Sequence, residues 1–153
     1  MPQRPWHMFF ALLRVRERQE RLKAQALAES RRDIQRVEAQ RDRLNDEQRR
    51  ILVEAGIAAA DEVDAPKVQS LFHYERHLSH LSVEKDSEIH ALRKVEENKR
   101  VELEEALKRR KIVERLTERV REEYIRHVRK EEQKLLDETA AVKSAIARKD
   151  NGA

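Results

Sequence analysis

Three histidines near the middle of the chain are the residues whose types and spacing come closest to chemistry. His73, His77 and His80 are spaced i, i+4 and i+7, so a helix would project all three imidazoles from one face. Glu84 follows one turn later, and imidazole with carboxylate is a set that binds zinc. No HExxH motif supplies a catalytic base beside such a metal. We therefore predict no metal site and keep the three histidines as metal candidates, with solvated or partner-facing side chains as the simpler interpretation.

Other catalytic arrangements are missing from the sequence. Its two glycines, Gly56 and Gly152, are far apart, so no glycine-rich loop can cradle a phosphate. The absence of cysteine excludes disulfides, thiolate metal sites and a cysteine nucleophile, and it suits a reducing cytoplasm. A serine nucleophile would need a histidine and a carboxylate on an enclosing scaffold. The sequence therefore predicts a protein that is not an enzyme and that binds no cofactor.

The composition is typical of long helices. Of the 153 residues, 42% are charged and 4% are aromatic. The 34 basic and 30 acidic side chains are interleaved over most of the length, as on solvated helix faces. Residues 1–30 nevertheless have a net charge of +3 and residues 108–134 of +5, so the remainder sums to −4. The excess positive charge is confined to these two segments.

One apolar stripe organises the second half of the chain. No proline or glycine occurs between Lys67 and Arg148, and a track of twenty positions from Leu78 to Ala145, which includes Leu81 and Val95, is apolar at fifteen of them. The track covers 67 residues in 19 steps, a mean of 3.53. A period just below the 3.6 of a straight helix predicts a helix that winds left-handed around a partner.

A second stripe of helical period predicts a first helix over about 6–54. Gly56 suggests a left-handed stop, and Pro66 cannot lie deep in a helix, so we predict a turn over 55–66 with Asp64 as the cap of the next helix. The second helix then covers about 67–148. Two long helices joined by so short a connection predict an all-α fold. We expect a single antiparallel coiled-coil hairpin over residues 1–153.

The position of the turn predicts which residues face each other. With its centre near residue 60, position i of the first helix faces about position 121 − i of the second, which puts Trp6 opposite Arg115. The second helix then overhangs by about thirty residues, because beyond about Leu116 its stripe has no partner within the chain.

Two clusters of large apolar side chains need a partner or must close the ends of the coiled coil. One lies at the open end and the other just past the turn. They are Trp6, Phe9, Phe10 and Leu13, and Leu71, Phe72 and Tyr74. The strongest apolar run near the N-terminus, Met8 to Leu13, is six residues long, so we expect neither a signal peptide nor a membrane span.

Motifs along the second helix resemble the C-terminal half of the flagellar export protein FliJ family. They are KIVERLTER at 111–119, Glu123-Tyr124 and KEEQKLLDE at 130–138. The segment FALLRVRE at 10–17 is similar to the opening of that family. The resemblance covers nearly the whole chain, as a helix, a break near residue 60 and a longer helix.

The resemblance implies a component of the bacterial flagellar type III export apparatus, and so a role in flagellum biogenesis and motility. Members form an antiparallel coiled coil similar to the central stalk of rotary ATP synthases. They sit in the hexameric ring of the export ATPase, help it assemble, reach the cytoplasmic domain of the export gate and bind substrate chaperones. The resemblance thus implies a cytoplasmic protein that associates with the inner membrane only through its partners.

The resemblance also assigns residues to one of these partners, the export gate. The gate contact lies in the turn-side half of the hairpin, where Glu47 and His77 depart from the family's usual aromatics. The matching positions are Gln40, Leu44, Ile51 and Leu81. For the ATPase, aromatic anchors and positive charge converge at the terminal end, where we expect docking in a pore lined with acidic groups. The expected contacts are Trp6, Phe9, Phe10, Leu13, Arg109, Arg110, Arg115, Arg119 and Tyr124.

Three alternatives stay open at this point. The stalk protein of a virulence-type injectisome would have the same size and fold. An unrelated coiled-coil scaffold or a parallel homodimer would share the composition. A binder of nucleic acid or anionic membranes would use the basic end, and its affinity would fall steeply with salt. We expect no specific nucleic-acid binding.

Overall fold

The protein consists of two long helices, and no strand occurs in the parts of the chain that the structure describes. A computed structural model describes residues 6–60 and 65–152. Helix α1 is His7–Ala60 and helix α2 is Ala65–Asn151. Ion pairs join successive residues of α1 to progressively earlier residues of α2, so the two helices run in opposite directions. The predicted all-α antiparallel coiled-coil hairpin with a longer second helix is confirmed.

Local ion pairs stabilise the solvated faces of both helices. Arg100 donates to Glu97 at 2.6 and 2.9 Å and to Glu104 at 2.5 Å, so it is bonded in both directions along α2. Such pairs contribute about 0.2–0.5 kcal/mol each to an isolated helix.

Within residues 6–60 and 65–152, neither helix has a stretch apolar enough to cross a membrane.

Helix α1 is longer than predicted. It continues through Gly56 to Ala60, although we expected a left-handed stop at this glycine. Gly56 lies on an open surface, and a glycine in a helix costs only about 1 kcal/mol relative to alanine. Ala55 is buried and residues 58–60 are alanines, the best helix formers, which outweighs that cost. Helix α2 begins at Ala65, and residues 61–64, including the predicted cap Asp64, lie outside the described residues.

The contacts divide the chain into two units. Unit 1 is drawn from Met1–Glu20 and Ala106–Ala153, and unit 2 is Arg21–Glu105. Each unit has its own buried residues along the seam between its helix segments. In unit 1 they are Trp6, Ala106, Val113 and Thr117; in unit 2 they are Leu27, Ser30, Ile34, Val37, Ile51, Ala55, Leu78, Ser82 and Ile89.

The seam of unit 2 follows a strict heptad. On α2 its most buried positions recur from Leu78 to Lys99 over 21 residues in 6 steps, a mean of 3.5. The predicted track is wrong by one residue here, because Ser82 takes the place we gave to Leu81 and Glu96 the place we gave to Val95. The Ser82 hydroxyl donates to Asn45 Oδ1 at 2.7 Å, so its burial leaves no polar group unpaired.

The register of the two helices differs from the predicted one. In unit 2, Asn45 contacts Ser82 and Arg41 pairs with Asp86, so position i lies level with about 127 − i. In unit 1, the contacts of Trp6 with Tyr124 and of Glu20 with Arg110 give about 130 − i. The prediction of 121 − i, with Trp6 opposite Arg115, is therefore wrong. The physical reason is that α1 continues to Ala60, which moves the connection toward higher residue numbers.

Helix α2 is paired further along its length than predicted. In unit 1, Val120, Tyr124 and Val128 are half-buried, whereas every residue over 129–150 is exposed. The prediction that the stripe loses its partner beyond Leu116 is wrong, because the different register carries α1 past that point. The unpaired segment of α2 comprises residues 129–150.

Candidate functional site

An aromatic pair closes the seam of unit 1. The rings of Trp6 and Tyr124 meet edge to face, with centroids 4.8 Å apart and planes at 75°. Only 8% of Trp6 is exposed, so for this residue the structure favours the alternative that the cluster closes the end of the coiled coil. Phe9 and Leu13 are half-buried and Phe10 is exposed. Of the predicted aromatic cluster, Phe10 therefore presents the most surface to a partner.

A polar layer crosses the seam of unit 1 about four helical turns from this pair. Arg110 forms ion pairs with Glu20 of α1 and, at 2.7 Å, with Glu114 of its own helix. The side chains of Arg110 and Glu20 are 23% and 22% exposed, so their charges are only partly screened by water. Arg16 lies in the same seam, where its Nε is buried without a hydrogen-bond partner among the described residues. Arg110 is thus a structural cation rather than a free one.

The other arginines of the predicted ATPase contact point away from the seam. Arg109 and Arg115 are exposed and form no ion pair with any residue that the structure describes. Arg119 is 78% exposed and reaches Glu123 at 3.3 Å. These three guanidinium groups are available to an acidic partner, because surface ion pairs such as Arg119–Glu123 are weak and exchange easily.

The unpaired segment of α2, residues 129–150, exposes apolar side chains along its whole length. More than half of each of four large side chains is accessible to water; they are Leu135, Leu136, Val142 and Ile146. Within the segment Gln133 donates to Asp137 at 3.0 Å, and Lys134 pairs with Glu131. Its local bonds favour the helix, while its apolar side chains are covered by no described residue.

In unit 2, a shallow groove brings three of the four predicted gate-binding residues together. It has a volume of about 390 Å³ and is lined by Gln40, Arg43, Leu44, Leu81 and Lys85. The two leucines form its apolar floor, and the two cations stand at its rim. The fourth predicted residue, Ile51, is buried in the seam and does not line the groove.

Sequence reasoning missed the two cations of this groove. Arg43 lies one turn from Gln40 on α1, and Lys85 one turn from Leu81 on α2. In a chain with 34 basic residues, the residue types alone could not single them out. Helical spacing from the predicted residues was the one signal that could have found them.

Glu47 and His77, the two positions that the resemblance singled out, lie in unit 2. Glu47 pairs with Arg50 at 2.5 Å, and this hydrogen bond raises the pKa of the Arg50 guanidinium. His77 is exposed. Neither residue lines the groove of Gln40, Leu44 and Leu81.

The three histidines of the predicted metal candidate are not brought together with other ligands among the described residues. His73, His77 and His80 are all exposed, and no group of three or more metal-ligating side chains is assembled among residues 6–60 and 65–152. His73 instead lines a groove of about 410 Å³ with Phe72, Gln69 and Arg76. Of the second predicted apolar cluster, Phe72 and Tyr74 are exposed and Leu71 is half-buried.

Comparison with known proteins identifies the family. No curated protein and no solved structure matches the chain. The family model described as Flagellar FliJ protein matches residues 7–149, which is nearly the whole chain. The chain therefore belongs to the flagellar FliJ protein family, whose members are non-catalytic components of the flagellar export apparatus and take part in type III protein transport.

Proposed function

We propose that this protein is the central stalk of the flagellar export ATPase. In this role it inserts in the hexameric ring, promotes its assembly, and links the ring to the export gate and to substrate chaperones. The protein would act in the cytoplasm, at the inner membrane only through these partners.

The observation that carries the proposal is the unpaired helical segment 129–150. Most helical stability in proteins comes from packing of an apolar face, and four large apolar side chains on this segment are uncovered by any described residue. A ring that encloses the segment would bury those side chains and hold the helix. The seam contact of Trp6 with Tyr124 supports this arrangement, since it keeps α1 paired up to the start of the segment.

Charge supports the same assignment. Residues 108–134 have a net charge of +5, and the exposed arginines among them include Arg109, Arg115 and Arg119. Acidic groups that line the pore of the ring would complement this charge and steer insertion. The proposed ATPase contacts are these arginines together with Phe9, Phe10 and Leu13, while Trp6, Arg110 and Tyr124 hold the surface in place.

For the gate we propose the groove of unit 2. Its apolar floor of Leu44 and Leu81, with Gln40, Arg43 and Lys85 around it, suits a partner with an apolar side chain beside an acidic one. Ile51 would support the floor from the seam rather than touch the partner. Chaperone binding is part of the proposal through the family resemblance alone.

The rate of ATP hydrolysis by a purified flagellar export ATPase tests the stalk role. We expect the full-length protein to stimulate hydrolysis, and the variant L135Q/V142Q to lose most of the stimulation because it removes the apolar contacts of the unpaired segment. The triple variant R109E/R115E/R119E should also stimulate weakly. The matched control R32E/R36E/R49E reverses three exposed arginines of unit 2 and should stimulate normally. Equal stimulation by all four proteins would exclude the proposed insertion.

A further inference from the structure

The two sides of the seam in unit 1 differ in chemistry. We consider the seam positions Leu13, Arg16 and Glu20 of α1, and those from Arg110 to Val120 of α2. Within unit 1, the residue directly after each of these seam positions is charged. These residues are Arg14, Glu17, Lys111, Glu114, Glu118 and Arg121. The residues that precede them by one are Leu12, Val15, Gln19, Arg109, Ile112, Leu116 and Arg119. At these positions the apolar side chains are confined to the preceding residues, whereas elsewhere in unit 1 Phe10 and Ile125 follow the seam residues Phe9 and Tyr124.

These preceding residues lie on one side of the helix pair. Both helices are right-handed and run in opposite directions, so a residue one before the seam projects to the same side from either helix. Unit 2 shows the equivalent relation for the following residues, because Glu38 and Arg93, which come after the seam residues Val37 and Leu92, meet at 3.0 Å.

The preceding residues of the two helices also lie at the same level. The contacts of Trp6 with Tyr124 and of Glu20 with Arg110 both place position i level with about 130 − i. Leu12 is then within about one helical turn of Leu116, and Val15 within one turn of Ile112. The four side chains form one patch, and they are 41%, 42%, 51% and 58% exposed for Leu12, Leu116, Val15 and Ile112.

Two arginines mark the ends of this patch on α2. Arg109 and Arg119 each come one residue before a seam position, as the apolar residues do, and both are exposed. They are ten residues apart, which is about 15 Å along a helix. The side of the pair formed by these six residues, which we call the apolar side, is therefore an apolar strip with a cation at each end.

We propose that the apolar side of unit 1 binds an amphipathic helix of another protein, about three turns long, whose apolar stripe is flanked by glutamate or aspartate. Two packed helices leave a groove along each side of their seam, and a third helix fills such a groove with apolar residues spaced three and four apart. Carboxylates near its two ends would meet Arg109 and Arg119.

A second copy of this chain does not fit the apolar side as well. Self-docking through this side would bring two copies of Arg109 and Arg119 together on one interface, where like charges oppose association. The inference shares Arg109 and Arg119 with the proposed ATPase contacts, but its apolar residues Leu12, Val15, Ile112 and Leu116 are not among them.

Fluorescence anisotropy of labelled peptides with the full-length protein tests the proposal. The acidic probe is a designed helical peptide of about 20 residues, with leucines at heptad spacing and glutamates beside them, and the basic probe carries lysines in place of the glutamates. We expect the acidic probe to bind and the basic probe to bind at least about tenfold more weakly. The variants I112Q and L116Q on α2 should each weaken binding of the acidic probe by about tenfold. The variants L12Q and V15Q on α1 should each do the same.

The matched control is K111Q/E118Q, which changes two residues on the opposite side of the same helix and should alter the affinity by less than about twofold. Failure of the acidic probe to bind, or equal weakening by the control, would overturn the proposal. So would sedimentation showing a dimer that L116Q dissociates, or vesicles of phosphatidylglycerol displacing the acidic probe. Loss of ATPase stimulation is a separate readout, so failure of the stalk role can be told apart.

Discussion

The indole of Trp6 and the phenol ring of Tyr124 form a layer of the unit 1 seam one turn before Val128, the last half-buried residue of α2, with their centroids 4.8 Å apart. Trp6 also starts helix α1, since its carbonyl oxygen accepts a hydrogen bond from the backbone N–H of Phe10 at 3.0 Å. Trp6 thus lies at the start of α1 and also packs against Tyr124 of α2. Because α2 is fully exposed beyond Val128, this contact lies close to the end of the paired part of unit 1.

We therefore expect the substitution Trp6→Ala to open the adjacent layers of unit 1. Removal of a buried Trp costs about 3–5 kcal/mol in a core, and an edge-to-face aromatic pair contributes about 0.5–1.5 kcal/mol beyond its area. Hydrogen exchange at residues 7–13 and 117–128 should accelerate strongly, with little change in unit 2. Phe10→Ala is the control, because Phe10 is exposed. Unchanged protection near Tyr124 in the Trp6 variant would show that the aromatic contact does not hold this end.

The ion pairs of Arg110 give a second prediction. Arg110→Met would leave Glu20 and Glu114 without their cation in a position that is only about a quarter exposed. Removing one partner of a partly buried ion pair should lower the free energy of unfolding by about 1–2 kcal/mol. For a fully buried ion pair the loss is about 3–5 kcal/mol. Hydrogen exchange over residues 106–120 measures the effect. Arg119→Met, which removes a cation that is mostly exposed, should cost less than about 0.5 kcal/mol, and equal effects of the two variants would contradict the role of the polar layer.

The hairpin could be predicted from the sequence, whereas its register could not. A stripe with a period near 3.5 and one break by glycine and proline are enough to indicate two antiparallel helices. The register depends on where α1 ends, and the helix continues through Gly56 because neighbouring alanines outweigh the cost of one glycine. Apolarity alone also placed Leu81 in the seam, although Ser82 occupies it by donating a hydrogen bond to Asn45.

The candidate sites show the same limit. The resemblance led to Gln40, Leu44 and Leu81, which the structure brings into one groove, but also to Ile51, which is buried. For Trp6 the sequence left open whether it is a binding anchor, as large aromatics at a terminus suggest, or closes the end of the coiled coil. Its burial follows from the register, which places Tyr124 beside it, and a register cannot be read from composition or from local spacing.

Acidification should weaken the ion pair between Arg100 and Glu97 on the surface of α2. The hydrogen bond from this guanidinium lowers the pKa of the Glu97 carboxyl. A lowered pKa means that the ionised form is stabilised in the folded state, so the contribution is present above the unfolded pKa of about 4.3 and is lost as the pH falls through the folded value. An NMR titration of the Glu97 carboxyl should show the lowered pKa, and Arg100→Gln should bring it back toward its ordinary value. An unchanged titration in that variant would assign the shift to another cause.

The groove of unit 2 provides the sharpest test of the gate assignment. Leu81 contributes to its apolar floor and Arg43 stands at its rim without an ion pair to any described residue. We expect Leu81→Gln and Arg43→Glu each to weaken binding to the isolated cytoplasmic domain of the export gate by about tenfold, because each removes one half of an apolar and cationic recognition site.

Matched controls for this experiment lie on the same two helices. Val83→Gln removes an exposed apolar side chain two residues from Leu81, and Arg36→Glu reverses an exposed arginine of α1 that does not line the groove. Isothermal titration calorimetry with the full-length protein should give affinities within about twofold of the unmodified protein for both controls. If the controls and the groove variants weaken binding equally, the gate recognises general charge and apolarity on unit 2. If none of the four changes the affinity, the gate binds elsewhere on the chain.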